Sequence, residues 1–84
     1  MVDSFLRYIS YEKRYSQHTV KSYQNDLKQF EFFCQSKFKV LNITEANQLM
    51  IRAWVLSLMD GGTSPRSVNR KIASLKSFYK YLLK

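Results

Sequence analysis

A chain with two glycines and one proline has few places to turn. An all-β domain needs many tight turns, and these residues make them, so helices with few breaks fit better. One cysteine, Cys34, excludes an intrachain disulfide framework and a cysteine-based zinc site. One histidine and six scattered acids make neither a hydrolase dyad nor a metal cage. The glycine patterns that cradle phosphates, GxxxxGK[ST] and GxGxxG, are missing, as is CxxC. The chain by itself is therefore expected to be no enzyme, with no metal and no cofactor. It has no signal peptide and no long apolar run, so the expected compartment is the cytoplasm.

What is present is a basic, moderately apolar chain of 84 residues, enough for one domain with a modest core. Apolar content of 45%, with 15% aromatic, argues against disorder. The net charge of +8 suggests a polyanionic partner, nucleic acid first and an anionic membrane second.

Four helices and no strands are expected. The first covers about Asp3 to Lys13, with Asp3 or Ser4 as cap and Phe5, Leu6 and Ile9 as a short apolar stripe. The second starts near Gln17 after Ser16 and ends near Ser36. Its Val20, Tyr23, Leu27, Phe30 and Cys34 recur at alternating three- and four-residue spacing and share one face. Phe32 points away from that face. In the following connection, Phe38, Val40, Leu41 and Ile43 are expected against the core. Thr44 caps a short turn, and Asn47 caps a helix from about Gln48 to Asp60 that contains Ile51, Trp54, Val55 and Leu58. The Gly61–Gly62 pair ends it, because glycine takes a left-handed conformation without a Cβ clash. Ser64 then caps the last helix, and Pro65 at its first position needs no backbone N–H there. Two long helices and two shorter ones make a compact bundle.

The last helix has two distinct sides. Val68, Ile72, Leu75, Tyr79, Leu82 and Leu83 fall within an arc of roughly 100° and are expected to face the core. Opposite lie Arg66, Arg70, Ser77, Lys80 and Lys84, with Ser67 and Ser74 on one flank. No acid occurs from Gly61 onward, whereas a solvated face usually mixes both signs. Cations in the first turn also oppose the helix dipole. A phosphate backbone would offset these costs by accepting the charges and releasing counterions. A membrane is a poor fit, since the apolar stripe is committed to the core and an interfacial helix would prefer exposed Trp or Phe. The second helix has a similar polar side: His18, Lys21, Asn25 and Lys28, with Ser22 beside them and Thr19 at the edge. A free helix N-terminus with small polar residues is also an anion site, but spacing alone favours ordinary capping for Ser16, Gln17 and Thr19, and His18, without a second histidine, reads as a surface or capping residue rather than a ligand.

Two stretches then resemble a known family. "YSQHTVKSYQNDLKQFEFF" resembles the S-x-x-T-x-x-x-Y-x-x-D-L-x-x-F pattern of the N-terminal, core-binding domain of tyrosine recombinases, through Ser16, Thr19, Tyr23, Asp26, Leu27 and Phe30. "GGTSPRSVNRKIASLKSFYKYL" is similar to the domain's second pattern through Ser64, Ser67, Ile72, Ser74, Leu75, Lys76, Phe78, Tyr79, Tyr81 and Leu82. The order and separation match over nearly the whole chain. The resemblance implies a four- to five-helix, SAM-like bundle that forms half of a clamp around duplex DNA. It implies DNA-facing positions at His18, Thr19, Lys21, Ser22 and Asn25 on the second helix. On the last helix it implies Arg66, Ser67, Arg70, Ser74 and Ser77.

The family cleaves DNA with a tyrosine assisted by an Arg–His–Arg set in a separate C-terminal domain. The resemblance therefore implies that residues 1–84 are the DNA-binding part of a longer recombinase, tetrameric on DNA and monomeric as an isolated domain. Tyr79 and Tyr81 are not expected to be the nucleophile. Two other readings are a helix-turn-helix transcriptional regulator, with the last helix as recognition helix, and a basic helical module that binds an acidic protein.

Overall fold

Each of the last three helices begins at a polar side chain that satisfies an end-of-helix N–H. In the computed structural model, which describes residues 2–83, Ser16 Oγ accepts from Thr19 N at 3.2 Å and opens α2, Gln17–Phe38. Asn47 Oδ1 accepts from Met50 N at 3.0 Å and opens α3, Gln48–Asp60. Ser64 Oγ accepts from Ser67 N at 3.3 Å and opens α4, Pro65–Leu82. The first helix, α1, is Val2–Tyr11, so Asp3 and Ser4 lie inside its first turn rather than capping it. It also stops two residues short of Lys13, where the chain turns through Arg14 at φ 53°.

The helix ends follow local chemistry. α2 runs two residues past Ser36 because no Gly or Pro stops it there. It closes when Lys39 takes a left-handed conformation at φ 60°. α3 ends at the glycine pair, and Gly62 is the left-handed member at φ 86°. Between α2 and α3 a 3-10 turn occupies Ile43–Glu45. Its cap is Asn42, not Thr44: Asn42 Oδ1 accepts from Thr44 N at 3.0 Å.

α2 and α4 are the central pair. α2 touches α1, α3, α4 and the 3-10 turn, and α4 touches α1, α2 and α3. The core holds Phe5 and Ile9 of α1, Leu27, Phe30 and Cys34 of α2, Ile43, Trp54 of α3, and Leu75 and Phe78 of α4. Aromatic pairs tighten it, with Phe5 edge-on to Phe78 at 5.5 Å and Phe30 tilted against Trp54 at 5.0 Å between centroids. The connection after α2 buries Ile43 and half-buries Val40, but Leu41 is 80% exposed, and Phe38, expected in this connection, is the last residue of α2 and sits at the surface against Phe33. A stretch this short between two helices can turn only one side inward.

The buried side of α4 departs from the expected arc. It is Val68, Lys71, Ser74, Leu75 and Phe78, a rotation of about 70° at 100° per residue. Leu83 lies past the last residue of α4 and is 89% exposed. Lys84 is outside the described residues. Among the described residues there is no strand, and no helix is long and apolar enough to cross a membrane.

Candidate nucleic-acid interface

The rotation of α4 goes with two contacts, fully buried Phe78 against Phe5 and a polar cluster on an aspartate of the facing helix. Asp26 is fully buried between α2 and α4. Its Oδ1 accepts from Arg70 Nη2 at 2.8 Å and from Lys71 Nζ at 3.0 Å. Its Oδ2 accepts from Ser74 Oγ at 2.8 Å. Lys71 Nζ also donates to Gln29 Oε1 at 2.6 Å. A buried charge is tolerated only when it is paired and hydrogen-bonded, and here both oxygens and both cations are engaged. Among the described residues no buried side-chain nitrogen or oxygen lacks a partner.

Beside this cluster the two long helices leave a groove of about 270 Å³. Thr19 and Ser22 line it from α2, and Arg70 and Ser74 line it from α4. Four residues expected at the DNA from two distant stretches thus border one concavity. Arg70 is the cation at its edge: its side chain is 54% exposed although one nitrogen is held by Asp26.

The other expected residues do not line this groove. His18, Lys21 and Asn25 are exposed on α2, and Arg66 is exposed on the first turn of α4. Lys21 and Arg66 pair with no acid among the described residues. Thr19 and Ser67 hold equivalent places, each bound to its cap serine: Ser16 Oγ to Thr19 Oγ1 at 3.0 Å, and Ser64 Oγ to Ser67 Oγ at 3.2 Å. Capping therefore occupies these hydroxyls in part, as spacing alone suggested. Ser77 lies half-buried in a second cleft of about 190 Å³, toward α1, with Lys13, Tyr15 and Lys80. Ser74 corrects its expected placement on an outward flank. It is 4% exposed, and its hydroxyl is spent on Asp26 and on Arg70 O at 3.2 Å.

Sequence reasoning did not pair Asp26 with Lys71. A signal existed, because Asp26 falls within the apolar spacing of Tyr23, Leu27 and Phe30, where an acid needs a cation. Lys71 falls likewise between Val68 and Leu75.

The tyrosines near the end of α4 are tied inward. Tyr79 Oη donates to Ile43 O, and burial, with Cys34 nearby as a lesser cause, pushes the phenol up to about 12. Such a group keeps its proton at neutral pH. Tyr81 packs against Phe5 and Tyr8. Among the described residues no cluster of three or more His, Cys, Asp or Glu side chains could hold a metal ion.

Comparison with known proteins bears on the groove. Residues 2–84 match the family described as phage integrase, N-terminal SAM-like domain. The chain is 40% identical over 83 residues to a tyrosine recombinase XerC of Oceanobacillus iheyensis, covering 96% of this chain and 26% of that protein. It is 36% identical over 83 residues to a tyrosine recombinase XerD of Rickettsia bellii, covering 98% of this chain and 26% of that protein. A XerC of Staphylococcus aureus is 38% identical over 79 residues, covering 94% of this chain and again 26% of the relative. The chain thus spans about a quarter of the length of these curated relatives. No solved structure matches it significantly.

Proposed function

The chain belongs to the phage integrase N-terminal, SAM-like domain family, and on that premise we propose that it is the DNA-binding, core-binding module of a tyrosine site-specific recombinase. It holds duplex DNA at the recombination site as one half of a clamp. Residues 1–84 act as one unit, and strand cleavage belongs to a catalytic domain elsewhere in a longer protein that works as a tetramer on DNA in the cytoplasm. The isolated module is a monomer.

One observation supports this reading: polar residues of α2 and α4, Thr19 and Ser22 with Arg70 and Ser74, meet at one groove with Arg70 exposed at its edge, while Lys21 and Arg66 are exposed elsewhere on the same two helices and pair with no acid among the described residues. Long-range attraction comes from the net charge of +8. Lys21, Arg66 and Arg70 contact phosphates, while His18, Thr19, Ser22, Asn25, Ser67 and Ser77 supply shorter polar contacts to backbone or base edges. Ser74 serves from behind, through Asp26.

The test is fluorescence anisotropy of a labelled mixed-sequence duplex titrated with the chain across a salt series. Affinity should fall steeply with salt, each neutralised phosphate adding about −0.9 to the log–log slope. Lys21→Ala and Arg70→Ala should each weaken binding and flatten the slope by about one. Wild-type binding by both variants would remove the assigned surface. Failure of the wild-type chain to bind duplex at low salt would favour a protein-interaction module. A footprint confined to one major groove on one side would favour a helix-turn-helix regulator.

A further inference from the structure

Resting on the DNA-binding reading above, we propose that Asp26 is a positioning residue for DNA contact. From inside the α2–α4 interface it holds the Arg70 guanidinium at the groove, while Lys71 neutralises its carboxylate and leaves the charge of Arg70 available to the ligand.

The electrostatic count supports this division of labour. A lone Asp–Arg pair is closed, because the acid cancels the cation. Here one carboxylate meets two cations, Arg70 at 2.8 Å and Lys71 at 3.0 Å, so the cluster keeps a net positive charge. That surplus has one route outward. The Lys71 side chain is 8% exposed and the Arg70 side chain 54%. Among the described residues the Arg70 guanidinium makes no hydrogen bond except that to Asp26, so its other N–H groups are free for an anion.

The geometry supports restraint as well. Asp26 cannot swing, since Ser74 and Lys71 grip the two oxygens from the same helix that carries Arg70. An arginine tethered to an immobile carboxylate has given up part of its rotamer freedom before the ligand arrives. A planar guanidinium with one edge fixed presents its remaining donors in a defined direction. Thr19 and Ser22 line the same groove and set the distance of approach.

Simple charge counting and positioning make opposite predictions for one variant. Asp26→Asn removes a negative charge, so counterion release alone predicts tighter binding to a mixed-sequence duplex. Positioning predicts weaker binding, by about two- to tenfold, the range set by the freedom that an untethered long side chain must lose at an interface. Anisotropy with the same labelled duplex, well below the melting temperature, reads the difference. In an Arg70→Ala background the same change should produce no weakening. A merely structural role would weaken both backgrounds alike. The inference is overturned if Asp26→Asn binds duplex as tightly as wild type or more so, or if the loss persists without Arg70.

If circular dichroism shows that Asp26→Asn does not fold, nitrogen-15 relaxation of arginine side chains in the unaltered chain decides. An Arg70 Nε–H more ordered than that of Arg66 supports positioning; equal averaging overturns it. Failure of the wild-type chain to bind any duplex would sink the DNA reading itself. Wild-type binding with a tighter Asp26→Asn variant would sink this inference alone.

Discussion

The contact between α2 and α4 is built from opposite chemistries on its two sides. One side is Leu27, Phe30, Leu75 and Phe78, sealed by Phe5 and Trp54. The other is Asp26, Lys71, Ser74 and the inner edge of Arg70. Apolar burial is non-directional and rewards any close fit. The ionic side has a single solution, because a shift of one residue along α4 would leave a buried ammonium or carboxylate without its partner. The apolar side supplies cohesion, and the polar side sets the register. Register matters here because it determines which residues of α4 stand opposite Thr19 and Ser22.

The comparison breaks first at Asp26. Asp26→Ala strands Lys71 and should cost about 3–5 kcal/mol. Urea unfolding followed by circular dichroism measures this, and a loss near zero would show that the ionic side is idle. Leu75→Met keeps volume on the apolar side and should cost less than about 1.5 kcal/mol in the same measurement. Equal losses at the two positions would erase the contrast. Arg66→Ala touches neither side, so stability should change by no more than about 0.5 kcal/mol. The same variant should still flatten the salt dependence of DNA binding by about one unit of slope.

A further effect is confined to alkaline pH. The Tyr79 phenol is raised from 10.0 to about 12 in the folded chain, so folding favours its protonated form. That contribution is fully present below pH 10 and is lost as pH rises from about 10 to about 12. The melting temperature should fall through this window more steeply for wild type than for Tyr79→Phe. Parallel curves would remove Tyr79 from the account.

Much of the bundle was legible locally. Ser16, Asn47, Ser64, Pro65 and the Gly61–Gly62 pair mark boundaries through bonds within a few residues, and those boundaries stand where expected. The apolar stripe of α2 was equally plain, and Leu27, Phe30 and Cys34 are fully buried. The orientation of α4 was legible only in part: Phe78 marks the buried side, but the partner of Lys71 and Ser74 lies 45 to 48 residues away in Asp26. Read by itself, α4 treats Lys71 and Ser74 as polar and Ile72 as core. Only the facing carboxylate turns Lys71 and Ser74 inward. The two polar faces were legible, whereas the meeting of Thr19 and Ser22 with Arg70 and Ser74 at one groove depends on that same tertiary contact. Leu41 misled for a related reason: hydrophobicity does not say which side of a short connection faces in.

Cys34 offers a clock for this architecture. It is the sole cysteine, it is fully buried at the centre of the core, and burial raises its thiol pKa. A thiol-directed reagent should reach it only when α2 separates from its neighbours. The rate of alkylation would then count openings of the bundle, and any ligand that binds only the closed bundle, as duplex DNA does in the function proposed above, should slow that count.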